Sequence, residues 1–438
     1  MAGCRRFVRS THNDDGEYFR FRTVVAIRIQ YRIQQAKGCR RQMSKRLFFS
    51  VGEPSGDLHA ANLINALRSI DPAISARGFG GVRMTQAGFA CDFDLTSMAV
   101  VGFAEVVPKL REFFRIADMA EDLFRRGECD GVVLVDFPGF NWHIAKRAKK
   151  YGLPVYYYLP PQLWAWGGWR IKKIRKYVDR VLCNLPFEKD WFERRNVKVD
   201  YVGHPFFDVV SSQPLCARFL SQWETKERLQ VAVLPGSRDH EVHRIWPLQV
   251  EIIRRLHPEF PNVRFMVAAL KDQHALWCRS QIRDQDRNLP IEVFVGKTSE
   301  LIELADCALM KSGSVSMEMM ARGTPCTVLY HCSRSTYALA RLLTRLKSMT
   351  LPNMIAQSTV MPEFLAVGGS MKAVDQATEA MRKLISDPFA RTAQKLALME
   401  LSDKYAQPGA SRRAAEIIHR ELTAGLEKHN NSKHAHAA

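Results

Sequence analysis

The sequence predicts an α/β protein built as two doubly wound units that face a central cleft. Three observations lead there. Short apolar runs such as Gly131–Val135 and Gln230–Leu234 recur along the chain, Gly-rich turns follow several of them, and segments with helical spacing come next. Strands that alternate with helices in this way form a parallel sheet covered on both faces. The cycle restarts after the polar stretch 211–214, which sets a boundary near residues 203–207. Two such units bring the carboxyl ends of both strand sets to one cleft, the place where doubly wound folds bind ligands.

Taken in order, residues 46–51 are β-branched and aromatic, 52–56 make a turn, and 58–70 carry Leu58, Ala61, Leu63, Ile64 and Leu67 at helical spacing. Further strands of the first unit are predicted at 131–135, 155–158, 180–183 and 199–202. Those of the second are predicted at 230–234, 264–268, 291–295, 307–310 and 326–329. Residues 43–205 therefore form the first domain and 206–389 the second. Helices over about 390–424 are expected to pack back on the first, and 425–438 is polar enough to read as a disordered tail.

Residues 1–42 hold ten basic side chains against Asp14, Asp15 and Glu17, with no apolar core ahead of a small-residue cleavage site, so they are not a secretory signal. Met43 stands directly before the first strand. The leader is read as a disordered extension or a mis-assigned start, with an organellar transit peptide as the alternative.

Composition narrows the function classes. Of 438 residues, 46% are hydrophobic and 25% charged, the balance of an ordinary globular protein. No apolar run approaches the ~18 residues that span a bilayer. The net charge of +19 favours anionic partners: nucleic acid, an anionic membrane surface or phosphorylated substrates. The ten cysteines lack CxxC spacing, so neither a zinc knuckle nor a disulfide framework is indicated.

Four turns can carry chemistry. In SVGEPSGD (50–57), Gly52 and Gly56 permit close backbone approach, Ser55 or Asp57 can cap the following helix, and Glu53 projects over the strand tip; a capped turn without a ligand fits equally. In GVVLVDFPGFNW (131–142), Asp136 ends an apolar strand, where desolvation raises its proton affinity toward that of a general base. The alternative makes Asp136 the cap of a helix starting near Asn141. In VAVLPGSRDHEV (231–242), the turn at Gly236 followed by Ser237 and Arg238 offers amides and a guanidinium to one anion. In ALMKSGSVSMEMMARGTP (308–325), Ser312, Gly313 and Ser314 open a helix whose positive end suits phosphate, with Glu318 about one turn in.

Two further stretches concern surfaces. Between Tyr156 and Lys176, aromatic residues adjoin Lys172, Lys173, Arg175 and Lys176; Ile171, Ile174, Val178 and Val181 suggest one helix with a solvated basic face, in preference to a nucleic-acid platform. Val106, Val107, Leu110, Phe113 and Phe114, interleaved with Lys109, Arg111 and Arg115, read as a basic amphipathic patch for a membrane surface, with core packing as the rival. His240–His243 misses the HExxH zinc spacing by one residue, and neither Asp92/Asp94 nor Asp284/Asp286 follows a buried strand, so no metal site is expected.

These segments, in this order, resemble the lipid-A-disaccharide synthases, inverting GT-B glycosyltransferases of family 19. The likeness runs from residue 46 to about 420 through GEPSGD (52–57), VVGFAEV (100–106), VDFPGFN (135–141), PPQLWAW (160–166), LPFEKDWF (185–192), VGHP (202–205), LPGSR (234–238), SGSVSMEMM (312–320) and LPNMIA (351–356). The resemblance implies transfer of 2,3-diacylglucosamine from its UDP derivative to the 6-hydroxyl of 2,3-diacylglucosamine 1-phosphate, forming a β-1,6 disaccharide and UDP. It makes Asp136 the base, with Glu53 as second candidate, and puts Gly236, Ser237, Arg238, Ser312, Gly313, Ser314, Glu318 and Asn353 on the donor side. Gly52, Ser55, Gly56 and Asp57 fall to the acceptor loop.

The resemblance further implies no cofactor and no metal, an enzyme peripheral on the cytoplasmic face of a bacterial inner membrane, and no nucleic-acid partner; a homodimer stays open. Three features depart from the pattern. The 42-residue leader has no counterpart, Asp136 precedes Phe-Pro-Gly where some members have Ala-Pro-Asp, and no motif encodes the acyl chains. The leader matters for location, because plant members are organellar. The rivals are another GT-B UDP-sugar transferase, a UDP-sugar epimerase and, in a different class, a nucleic-acid-binding module.

Overall fold

The computed structural model describes residues 45–98, 110–344 and 348–437, and residues 46–438 form one compact unit. The first half contains β1 (Arg46–Val51), α1 (Pro54–Ile70), β2 (Ser75–Gly80), α2 (Val82–Gln86), β3 (Ala90–Asp94) and α3 (Leu110–Arg125). It continues with β4 (Gly131–Val135), α4 (Pro138–Lys150), β5 (Val155–Tyr158), α5 (Ile171–Tyr177), β6 (Arg180–Cys183), α6 (Pro186–Glu193) and β7 (Val199–Tyr201). After α7 (Phe206–Ser212) and α8 (Ala217–Trp223) come β8 (Gln230–Leu234), α9 (Asp239–Leu256), β9 (Arg264–Ala269), α10 (Asp272–Ser280), β10 (Ile291–Val295) and α11 (Thr298–Leu304). Then follow β11 (Cys307–Met310), α12 (Val315–Arg322), β12 (Cys326–Cys332), α13 (Arg334–Leu343), α14 (Leu351–Ala356), β13 (Glu363–Val367), α15 (Met371–Ser386), α16 (Pro388–Tyr405) and α17 (Ala410–Ala437).

Both sheets are parallel. The first runs β3-β2-β1-β4-β5-β6-β7 and the second β10-β9-β8-β11-β12-β13. In each, the order reverses beside its first strand, between β1 and β4 and between β8 and β11. At such a switch point the loops leaving two neighbouring strands turn to opposite faces and open a crevice. Val51 pairs with Val135, so Gly52 and Asp136 leave adjacent strand tips. Likewise Leu234 pairs with Met310, so Pro235 and Lys311 follow at the second crevice. The four turns singled out in the sequence are therefore the four loops of the two switch points.

The alternation of side chains along the strands builds a core on each face. Phe48, Val132, Leu134 and Tyr157 face the core beneath α3, α4 and α5, whereas Leu47, Phe49, Val133 and Tyr156 face the one under α1. In the second sheet, Val231, Val233 and Leu309 meet α9 and α15, and Ala232, Ala308 and Met310 meet α12 and α16. Strands β2, β3 and β13 were missed by the sequence reading. They lie at or next to sheet edges and carry Arg77, Asp92 and Glu363, so they lack the continuous apolar run of a central strand.

Other details correct the sequence reading. The basic helix stops at Tyr177; Val181 belongs to β6, because Asp179 interrupts the helix and its carboxylate takes the Val155 amide and Lys149. Asp92 and Asp94 lie on β3 and not in a loop; Asp92 holds Arg77, and Asp286 holds Arg254. The return to the first sheet starts at Ala410 and not near 390, since Leu398 of α16 still packs in the second unit's core while Ala414, Ile418 and Leu422 of α17 pack in the first. Asp208 accepts the Ala410 and Ser411 amides at 3.0 and 2.9 Å and so caps α17 from a distance. That helix continues to Ala437 through the stretch expected to be disordered; once packing has nucleated a helix, each added residue costs little. Residues 1–42 lie outside the described residues.

Candidate functional site

The first rim of the cleft is built around a left-handed corner. Asp136 and Phe137 have φ of 46° and 43°, an uncommon conformation for two successive residues with side chains. The chain holds it from three sides. Asn141, fully buried, donates its Nδ2 to the Asp136 carbonyl at 2.8 Å, the Tyr157 hydroxyl donates to the same carbonyl at 2.8 Å, and Ser50 on β1 donates to Asn141 Oδ1 at 2.6 Å. The cap role considered for Asp136 does not occur: Phe137 is the residue before α4 and no side chain caps that helix. What remains is a carboxylate at the strand tip whose proton affinity burial raises, with the Phe137 amide acting the other way.

The facing loop is shaped by packing. A Cβ on Gly52 would stand 2.3 Å from the Phe137 ring, so this glycine makes room for Phe137 and brings the two loops together. Gly56 abuts Val51 and Val135. Neither Ser55 nor Asp57 caps α1; Asp57 instead accepts the amides of Gly81, Arg83 and Met84 at 3.0, 3.0 and 3.2 Å, capping α2. Glu53 is the residue immediately before α1 and is half-buried. Burial raises its proton affinity, the Asp136 charge raises it further, and Arg238 of the opposite unit lowers it.

On the second rim, Arg238 is exposed ahead of α9, and Gly236 has φ of 125°. The loop amides that the sequence assigned to an external anion are engaged internally. Ser237 N and Arg238 N donate to Glu241 Oε2 at 3.3 and 3.4 Å, and Lys311 Nζ lies 2.8 Å from Glu241 Oε1. Beside them, Gly313 and Ser314 lead into α12, where the Ser316 and Met317 amides donate to the Gly313 and Ser314 carbonyls at 3.0 and 2.9 Å in a tight first turn. Ser312 Oγ donates to the Met349 carbonyl at 3.0 Å. Glu318 is buried and its Oε1 accepts Arg322 Nε at 3.0 Å, while Oε2 has no hydrogen-bond donor among the described residues.

Asn353 does not face the cleft chemistry as a free group. It is buried, donates to the Met361 carbonyl and Glu363 at 2.7 Å each, and accepts the Val360 and Met361 amides at 2.9 Å, so its capacity is spent on the loop before β13. The aromatic segment is likewise structural in part: Trp164 Nε1 donates to buried Glu188 at 2.8 Å, and burial pushes that carboxyl up to about 7. Of the amphipathic patch, Val106 and Val107 lie outside the described residues, as does the Leu110 side chain. Phe113 packs inward, 5.7 Å from the Phe140 ring, because that face of α3 covers the sheet; Phe114 is exposed, its edge against His143.

Asn141, Tyr157, Glu241 and Lys311 were not identified as functional residues from sequence. Asn141 and Glu241 each sit a few residues past a recognised loop, and a polar residue on the first turn of a helix after a buried strand is the one signal that marks them.

Two parallel sheets whose switch points face each other define the GT-B class, the fold shared by glycosyltransferases and sugar-nucleotide epimerases. Among solved structures, an S. aureus MnaA–UDP co-structure has a TM-score of 0.60 at 13% identity, covering 86% of this chain and 97% of that one. CalG4, the calicheamicin glycosyltransferase, has a TM-score of 0.56 at 12% identity over 87% and 99% of the two chains. At such identities the likeness concerns fold alone.

Sequence defines the family. The family model described as "Lipid-A-disaccharide synthetase" matches residues 47–418. A Syntrophus aciditrophicus protein named lipid-A-disaccharide synthase is 35% identical over 85% of this chain and 96% of its own length, and one from Anaeromyxobacter dehalogenans is 34% identical over 86% and 97%. The chain belongs to the lipid-A-disaccharide synthase family.

Proposed function

We propose that the protein transfers 2,3-diacylglucosamine from UDP-2,3-diacylglucosamine to 2,3-diacylglucosamine 1-phosphate, with inversion and without a metal, releasing UDP. The observation that carries this reading is that Gly52 and Asp136 leave adjacent strand tips, which puts Glu53 and Asp136 on one rim as candidate bases, while exposed Arg238 opens the helix after the second switch point and its charge is felt at Glu53. A sugar hydroxyl is a poor nucleophile until a base accepts its proton, and a carboxylate raised by burial is a stronger base than an exposed one. Asp136 takes that proton, while Glu53, itself raised, orients the acceptor. As the glycosidic bond breaks, charge grows on the diphosphate, and Arg238 with the amides opening α12 stabilises it. Glu318 Oε2 accepts from a ribose hydroxyl.

Both substrates are acylated, so the enzyme works at a lipid surface. No helix among the described residues is long and apolar enough to cross a membrane. Support for peripheral docking comes from exposed Phe114 with Arg111 and Arg115 on α3, and from exposed Trp169 beside Lys172, Lys173, Arg175 and Lys176 of α5, a mixture suited to an anionic bilayer. No carboxylate pairs with those α5 cations among the described residues.

The test is UDP release from UDP-2,3-diacylglucosamine in detergent with EDTA, with and without the acceptor. Release that depends on acceptor and persists in EDTA is expected. Release without acceptor would favour an epimerase-like or hydrolytic reaction, and none with folded protein would sink the assignment of substrates.

A further inference from the structure

The cradle on the second rim already holds an anion, and it belongs to the chain. Glu241 Oε2 receives the Ser237 and Arg238 amides, Oε1 lies 2.8 Å from Lys311 Nζ, and the Arg238 guanidinium stands 3.4 Å from the same oxygen. Glu241 is only 10% exposed in its side chain and Lys311 13%, whereas Arg238 is 69% exposed. Lys311 also lies over the Tyr330 ring, at 5.3 Å, and its own amide donates to the Leu234 carbonyl at the switch point. The backbone is shaped to admit the carboxylate: a Cβ on Gly236 would come within 3.0 Å of Glu241 Cβ and Oε2.

Part of this is a familiar helix device, since a glutamate in the first turn often accepts the amide at the helix start. That device explains the Arg238 amide. It does not call for a second amide or for a lysine delivered from β11, two donors that suit a diphosphate as well as a carboxylate. Glu241 and a diphosphate, both anionic, cannot share them.

We propose that Glu241 is an intramolecular competitor for the donor's diphosphate, resting on the reading of this rim as the diphosphate site. When the nucleotide binds, the Glu241 carboxylate swings away, and the Ser237 and Arg238 amides and Lys311 pass to the phosphates. When the sugar has been transferred, its return to the same donors helps expel UDP. Lys311 is thereby a phosphate-binding residue held in reserve by an ion pair, and Glu241 a positioning residue that sets how tightly product is retained.

The experiment is calorimetric titration of the full-length protein with UDP and, separately, uridine, in the parent and in Glu241→Gln and Glu241→Asp. Glutamine keeps the size and removes the charge; aspartate keeps the charge at the helix start but is too short to reach Ser237 and Lys311. Both variants are expected to bind UDP about fivefold more tightly with uridine affinity unchanged, because in each the carboxylate no longer occupies the Ser237 amide and Lys311. A purely structural glutamate would instead weaken both ligands on replacement. Unchanged or weaker UDP binding by either folded variant overturns the competitor role while the diphosphate site stands. UDP bound no more tightly than uridine by the parent overturns the site itself and the competitor with it.

Discussion

Asn141 holds Asp136 by the backbone and not by its carboxylate: the Asn141 amide nitrogen donates to the Asp136 carbonyl at 2.8 Å, and its oxygen is fixed by Ser50 at 2.6 Å. A left-handed corner is thus tied to β1 through one buried side chain. Replacing Asn141 with Leu removes both bonds and leaves the Asp136 carbonyl with Tyr157 alone. Turnover should fall by about 10-fold or more, as expected when a reacting group is misplaced by a fraction of an ångström. UDP affinity should stay as it was. Steady-state kinetics with a direct UDP titration separates the two, and a loss confined to UDP binding would contradict the positioning role.

For Asp136→Asn the expected loss in kcat is about 10² to 10⁴, the usual worth of a general base. The parent's kcat should decline as pH falls through a value above that of an ordinary carboxylate, because burial raises the Asp136 proton affinity and only the ionised form accepts a proton. Near-parental turnover in the Asn variant would remove Asp136 from the role.

Arg238→Ala addresses the opposite rim. Loss of an exposed guanidinium that reaches the cleft should weaken UDP binding by about 10-fold, in the range of one charge-assisted contact, and slow turnover as well. Equal UDP affinity in parent and variant would count against a diphosphate contact.

Acid stability should depend on two neighbouring imidazoles, buried His59 of α1 and half-buried His204. The rings of His59 and His204 are 6.3 Å apart; burial lowers His59 to about 4, with Asp208 opposing and Arg83 assisting, and lowers His204 to about 3. Below the unfolded value of about 6.5, the unfolded chain binds protons that the folded one refuses. Stability is therefore complete above pH ~6.5 and declines as pH falls toward the folded values, by at most about 1.4 kcal/mol per pH unit for each ring. His59→Asn should flatten the decline of Tm between pH 6.5 and 4; an unaltered slope would show that His59 is not held neutral.

Surface docking can be tested by sedimentation with vesicles. Lys172→Glu combined with Lys173→Glu removes two exposed cations and adds two anions, and binding to vesicles rich in anionic lipid should drop several-fold while neutral vesicles show no change. Activity on detergent-dispersed substrate should persist. Unaltered sedimentation would place the lipid-facing surface elsewhere.

How much of this could be read from the chain alone follows from the range of the forces involved. Apolar runs marked ten strands, eight of them inside the sheets, and the Gly-rich turns after them marked all four switch-point loops, because a strand buried on both faces must be apolar along its whole length and the turn after it must be permissive. Those are local requirements, and they singled out the loops that carry Asp136, Glu53 and Arg238. The edge strands at Ala90–Asp94 and Glu363–Val367, and Ser75–Gly80 next to an edge, escaped, since positions near a sheet edge tolerate charge. Only the tertiary structure decided who meets whom: that Gly52 yields to Phe137, that Asn141 joins Ser50 to Asp136, that Asn353 is consumed by its own loop, and that Lys311 reaches Glu241. Each of these pairs joins side chains to groups whose meeting depends on how strands and loops are arranged in space, which no local pattern records.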